Sequence, residues 1–226
     1  MDKPRRLVWA LAGIVLMAGC ESATVPERDR FEVYDFRLRV DQDTMVLRWP
    51  NASLIRVFLN GSATPANGQI LTDAFRHGSA AWEATSLFGD FRFSQVSTAE
   101  QADVIITWSG SILPVETAHC PPGGGVAFTT FCLTAQRDRL EPFPLRAPAV
   151  PGTVRFLITV RETVANDAAR VRSLITHELG HVLGIAQHSP NPDDLMFSDP
   201  LVRDLPNTRD RATIQLLYQT RAQITP

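Results

Sequence analysis

The chain has 226 residues, 44% of them hydrophobic and 20% charged, with a formal charge of −2. That composition is ordinary for a soluble globular protein, and a mildly acidic balance with no basic stripe excludes nucleic acid as an expected partner. Repeats and low-complexity tracts are absent, so neither a solenoid nor a disordered chain is indicated.

The first segment reads as an address. Lys3, Arg5 and Arg6 form a basic start, and Leu7 to Met17 form an apolar run. Eleven residues are too few to span a bilayer core, which needs about twenty. Met17-Ala18-Gly19 then ends in small residues before Cys20, which resembles a bacterial lipoprotein signal peptide over residues 1–19 with Cys20 lipidated as the mature N-terminus. A plain secretory signal with a bystander cysteine and an uncleaved anchor are the alternatives. Glu21 is not the aspartate that favours retention at an inner membrane, so an exported, envelope-anchored protein is expected, at the outer membrane in a Gram-negative cell. Loss of Asp2, Lys3, Arg5 and Arg6 with the leader would shift the formal charge from −2 to −4.

Residues 20–30 are polar and read as a tether, and residues 31–226 have the size of one domain with a real core. Within it, Phe31 to Val40 alternates apolar and polar, which predicts a strand. Asn60-Gly61 and Asn67-Gly68 are turn signals. Leu71, Ala74, Phe75, Gly78 and Trp82 recur at helical spacing, predicting a helix whose apolar face meets a sheet. The unbroken run Val104-Ile105-Ile106 predicts a strand covered on both faces. Pro142, Pro144, Pro148 and Pro151 make an irregular loop, Val154 to Val160 returns as a strand, and Asn166-Asp167 leads into a helix from about Ala168 to Leu183. Trp49, Trp82 and Trp108 read as core anchors. His77 falls on the polar side of the first helix and is expected to face solvent. His119 lies in a loop beside Cys120 without an assigned role.

Export determines how the two remaining cysteines are read. Cys120 and Cys132 bracket the turn-rich Pro121-Pro122-Gly123-Gly124-Gly125, and an oxidising compartment favours pairing them. Such a bridge would contribute roughly 3 kcal/mol by restricting the unfolded chain.

The chemistry is concentrated in His177-Glu178-Leu179-Gly180-His181-Val182-Leu183-Gly184-Ile185-Ala186-Gln187-His188, followed by Met196. Histidines four apart on a helix are separated by about 40° of rotation, so both imidazoles face one point. Glu178 lies one step round, close enough to reach a metal-bound water as general base without ligating the metal. Gly184 lets the chain leave the helix, and the returning loop brings His188 in as third ligand. Three protein ligands leave one coordination position open, as in a catalytic zinc site. Gln187 occupies the more usual third-ligand position, but a neutral amide is a poor zinc ligand beside an imidazole. Asp193 and Asp194 fit a turn before Met196 better than a ligand role.

These residues resemble a matrixin-type metzincin of the bacterial kind. The distance from His188 to Met196 matches that class, so the extra residue falls between Gly184 and the third ligand, where a loop absorbs it. The resemblance extends over about residues 45–220: Leu47 to Pro50 with Ile55 to Leu59 resemble the first strand, Ile70 to Ser86 the first long helix, Phe91 to Phe93 and Ala102 to Trp108 the next strands, and Thr208 to Tyr218 the closing helix. It implies an α+β fold with α/β character: a twisted, mostly parallel sheet with one antiparallel edge strand, two long helices and a C-terminal helix. It also implies a Met-turn at Met196 that floors the site, and a substrate-pairing edge strand, for which Gly125 to Thr130 is the candidate. Phe197 stands where many members carry Tyr, so no tyrosine role carries over. A cysteine that blocks the zinc, as in animal members, would need a free thiol upstream of the catalytic residues, and no such motif is present.

The implied activity is zinc-dependent hydrolysis of peptide bonds in a peptide or protein substrate by a monomer. One catalytic zinc on His177, His181 and His188 would activate water, with Glu178 as the base. A zinc hydrolase acting on a non-peptide amide or ester, and a non-catalytic zinc-binding surface lipoprotein, remain open alternatives. The residues do not decide whether calcium or a second zinc is also held.

Overall fold

A computed structural model describes residues 32–61, 65–108, 125–134, 136–141, 154–199 and 203–226. The leader with Cys20, the loop holding His119 and Cys120, and the proline-rich segment after Glu141 lie outside the described residues. Cys132 is buried.

The frame is a five-stranded sheet in the order β4-β3-β5-β9-β6. Its strands are β3 (Ser53–Asn60), β4 (Phe91–Val96), β5 (Val104–Trp108), β6 (Ala127–Thr130) and β9 (Phe156–Val160). Four run parallel, and β6 joins β9 antiparallel at the end of the sheet. Every residue of β5 and β9 is buried, as expected for parallel strands covered on both faces. Arg56 ties β3 to the start of β5 through a fork of hydrogen bonds to Asp103, at 2.9 Å from Nε and 2.6 Å from the terminal nitrogen. Two small antiparallel pairs, β1 (Leu38–Val40) with β2 (Asp43–Met45) and β7 (Cys132–Leu133) with β8 (Leu140–Glu141), flank this frame. The mostly parallel sheet, the antiparallel edge strand and three helices among the described residues match the architecture expected from the sequence.

Helix α1 spans Pro65–Glu83, α2 Ala168–Val182 and α3 Thr208–Gln219. α1 begins at a proline, which is pre-set for a first turn. It therefore runs straight through Asn67-Gly68, where the sequence suggested a turn: burial of Leu71, Ala74, Phe75 and Trp82 along one face outweighs the roughly 1 kcal/mol a helical glycine costs. That face meets a helix as well as the sheet. A Cβ on Gly78 would lie 2.9 Å from the Thr176 hydroxyl oxygen and 3.1 Å from a Leu179 methyl, so α1 and α2 approach closely there. The Trp82 indole donates to the Thr176 carbonyl at 2.7 Å, and the Trp49 indole to the Val182 carbonyl at 2.8 Å. All three tryptophans expected in the core are buried.

Two further expectations change. Of the described part of Phe31 to Val40, residues 32–40, only Leu38–Val40 is strand. The alternation is still real, because Tyr34, Phe36 and Leu38 are buried, but the preceding backbone packs without a ladder partner. His77 is half-buried rather than free in solvent: its Nε2 lies 2.9 Å from the Asp204 carbonyl oxygen and 3.3 Å from the Asp204 carboxylate, which Arg172 also approaches at 3.0 Å.

Helix α2 starts on Asp167, whose side chain accepts from the Arg170 N–H at 2.9 Å. It stops at Gly184, with φ of +110°. There the Ile185 N–H donates to the Gly180 carbonyl at 3.1 Å and the Gly184 N–H to the His181 carbonyl at 3.0 Å, the paired bonds of a Schellman stop. A Cβ at Gly184 would fall 2.0 Å from the Leu47 carbonyl oxygen. Gly184→Ala should therefore destabilise the protein by on the order of 3 kcal/mol or more, combining left-handed strain with a backbone clash. Gly89→Ala is the control, since Gly89 has φ of +68° and open space around its would-be Cβ; it should cost about 1–2 kcal/mol. Chemical denaturation of the two variants measures the difference.

Candidate metal centre

The helical repeat sets His177 and His181 on one side of α2, and the reversal at Gly184 returns the chain so that His188 joins them. The ring centroids are 4.9 Å apart for His177 and His181, 5.2 Å for His177 and His188, and 5.1 Å for His181 and His188. One nitrogen from each ring lies within 4.8 Å of the others. Gln187 turns away, donating from its amide to the Arg37 carbonyl at 3.2 Å.

Carbonyl groups set the tautomers. Nδ1 of His177 lies 2.8 Å from the Leu195 carbonyl oxygen, and Nδ1 of His181 lies 2.6 Å from that of Ile185. A carbonyl only accepts, so each Nδ1 carries the proton and Nε2 keeps its lone pair. Protonation of Nε2 is also disfavoured. Burial, and then the neighbouring imidazoles, hold His177 well below the usual histidine range; burial, and then His188, take His181 to about 4. Three imidazoles, two of them held neutral and oriented by backbone acceptors, form a donor set that fits zinc.

Glu178 is buried beside this cluster. Removal from water raises its carboxyl to about 7, and hydrogen bonds from the Thr129 hydroxyl and backbone pull in the opposite direction. Thr129 belongs to β6 and its hydroxyl donates to Oε2 of Glu178 at 2.7 Å. The strand begins at Ala127, slightly later than the expected Gly125.

The Met196 loop packs against α2, touching it at Gly180 and at His177. Met196 is fully buried, and a Cβ on Gly180 would meet its sulfur at 2.4 Å and the Trp82 ring at 2.8 Å. Gly180 is therefore the hollow into which Met196 packs. Two buried carboxylates hold the loop. Asp194 accepts from the Ser189 hydroxyl and, at 2.7 Å, from the Asn207 amide, with Arg209 Nε 3.2 Å away. Asp210 accepts from the Tyr34 hydroxyl at 2.7 Å, the Leu195 N–H at 2.9 Å and the Asn207 N–H at 3.0 Å. Asp194 thus serves the turn as expected, while Asp193 is exposed and pairs with Arg203. Sequence reasoning missed the roles of Asp210, Tyr34, Ser189 and Thr129. The Asn207-x-x-Asp210 spacing was a legible capping signal, but nothing local marks Asp210 as the acceptor for a distant loop.

No family model and no curated protein matches the chain. Among solved structures it is similar to myroilysin, at 14% identity over 77% of this chain and 96% of that one with a TM-score of 0.43. A second myroilysin structure matches at 12% identity over 84% of this chain and 100% of that one, with a TM-score of 0.45. An archaemetzincin from Methanopyrus kandleri matches at 14% identity over 74% of this chain and 96% of that one, with a TM-score of 0.41. At such values the functional reading draws on the site itself.

The buried carboxyl generates a pH signature in metal-free protein. Glu178 titrates near 7 when folded against an ordinary 4.5. Its contribution is therefore fully present below pH 4.5, declines as the pH rises through 7, and leaves a cost of roughly 3 kcal/mol once both states are ionised. Glu178→Gln should match wild type in thermal stability near pH 4.5 and exceed it increasingly up to about pH 7.5. Melting curves of chelator-treated protein across this range test the sign; a constant difference would refute it.

Proposed function

We propose that the chain is a zinc-dependent metalloendopeptidase of the metzincin class, matrixin-like in type, acting on peptide or protein substrates. The observation that carries this reading is the convergence of His177, His181 and His188 within 4.8 Å, with a buried carboxylate beside them and a methionine floor below. Nε2 of His177 and of His181, together with a ring nitrogen of His188, would hold the ion. When bound, zinc supplies Lewis acidity toward water and toward the oxyanion that develops on the substrate carbonyl.

The rest of the chemistry belongs to the chain. Oε1 of Glu178 receives the proton of the attacking water, and the carboxyl then returns it to the leaving amine. The Leu195 and Ile185 carbonyls hold two imidazoles in one tautomer throughout. Met196 and Gly180 close the floor and exclude water, and Phe197 contributes no hydroxyl. β6, as the terminal strand, offers backbone groups along which an extended peptide could pair.

We also propose the exported, lipid-anchored form, with residues 1–19 as signal peptide, Cys20 acylated, 20–30 as tether and 31–226 as catalytic domain, and with Cys120 bridged to Cys132. This part rests on the residues of the leader and on the cysteine placement.

Purified protein should carry about one zinc per chain. His188→Ala should lower zinc affinity by more than the roughly 10–100-fold that loss of a ligand's hydrogen-bond partner costs, while Gln187→Ala should leave it nearly unchanged. Glu178→Ala should retain zinc yet lose about 10⁴-fold in peptide cleavage, the upper end for a general base. Zinc titration and cleavage assays at matched occupancy measure both; equal cleavage by wild type and Glu178→Ala would assign the activity elsewhere. Expression in a bacterial host with a labelled fatty-acid analogue should give an acylated product, and Cys20→Ser should abolish the label.

A further inference from the structure

The strand that ends the sheet also touches the buried carboxylate. Along β6 side chains alternate between faces, and this alternation sends Thr129 toward α2 while Phe128 and Thr130 point away. Its hydroxyl reaches Oε2 of Glu178 at 2.7 Å and stands 3.2 Å from the Glu178 carbonyl oxygen. A carboxylate offers only acceptors, so the hydroxyl donates. Among the described residues this is the side-chain hydrogen bond that Glu178 receives.

We propose that Thr129 is a positioning residue for Glu178: its hydroxyl holds one carboxylate oxygen, Oε2, and so fixes the orientation of the group that would accept the proton. Two observations support this role. The contact is part-buried and falls on a carboxylate that is itself buried, where a hydrogen bond to the charged form is strong and its loss expensive. The donor also sits on the strand that, among the described residues, ends the sheet and is paired on one side only, to β9. A peptide laid along the free side of β6 would stiffen the strand and, through Thr129, the carboxylate. Occupancy of the edge and alignment of the proton acceptor are then linked through Thr129. The inference rests on reading Glu178 as the general base.

Thr129→Val keeps the shape and a strand-favouring β-branched side chain but removes the donor, and Thr129→Ser restores it. With zinc content matched, Thr129→Val should lower kcat on a single peptide about tenfold to a hundredfold, the equivalent of one hydrogen bond to a charged group. KM should stay within about twofold, since the lost bond acts on the base rather than on ground-state binding, and Thr129→Ser should recover most of the loss. A second readout needs no turnover. In chemical denaturation of zinc-free protein at pH 8, Thr129→Val should lower the midpoint more in wild type than in the Glu178→Ala background. Unchanged kcat, failure of Thr129→Ser to rescue, or equal midpoint shifts in the two backgrounds would overturn the proposal. If wild type cleaves no peptide, the endopeptidase reading fails, and the denaturation comparison still decides whether the hydroxyl and the carboxylate are coupled.

Discussion

Everything at this site depends on the chain reversing at Gly184. The reversal is possible because a residue without a Cβ can sit at φ of +110° with the Leu47 carbonyl where a side chain would begin. It ends α2 within one turn of His181, satisfies the last carbonyls through the Ile185 and Gly184 N–H groups, and sends the chain back beneath the helix. Two helical imidazoles define a line; only the returning loop adds His188 and makes a three-sided donor set. The same contact joins the segment before β3 to the end of α2, so the sheet and the site share an anchor.

The loop that follows has little apolar surface of its own to fix it. Leu195 and Met196 are buried, but its geometry is set mainly by two carboxylates taken out of water. Burial, with a smaller push from the neighbouring Asp194, raises the Asp210 carboxyl, and donors from Leu195, Tyr34 and Asn207 oppose that shift. A buried acid is tolerated only when its lone pairs are occupied, and here the donors come from three separate parts of the chain. Asp210 therefore connects α3, the segment before β1 and the Met196 loop. Its hydrogen bond to Leu195 N–H and the Leu195 carbonyl's hold on His177 lie on the same residue, so positioning passes from α3 to an imidazole through one peptide unit on each side of Leu195.

The immediate surroundings of the imidazoles combine opposing electrostatic demands. Dryness disfavours the charged forms of His177, His181 and Glu178 alike. The close α1–α2 contact at Gly78 and the seating of Met196 on Gly180 maintain that dryness. Small residues matter here because they let large neighbours approach without leaving a void.

The ligand cluster and the frame were legible before any coordinates, because both rest on local periodicity. A four-residue histidine spacing puts two rings on one helical face whatever surrounds it, and the unbroken apolar run Val104-Ile105-Ile106 fits a strand covered on both sides. Glycine after the helix, together with the family-like His188-to-Met196 distance, pointed to His188 as the third member of the cluster. What remained hidden was set by partners far away in sequence. The asparagine-glycine pair in α1 was overruled by burial of a face several turns long, and the segment before β1 kept its alternation but lost its ladder. Asp210 and Thr129 look like an ordinary helix cap and an ordinary strand residue until the fold brings Leu195 and Glu178 to them. Local patterns determine which side chains share a face; only tertiary structure decides which buried polar atoms find donors, because those partners lie tens of residues or more apart and leave no mark on each other's neighbourhoods.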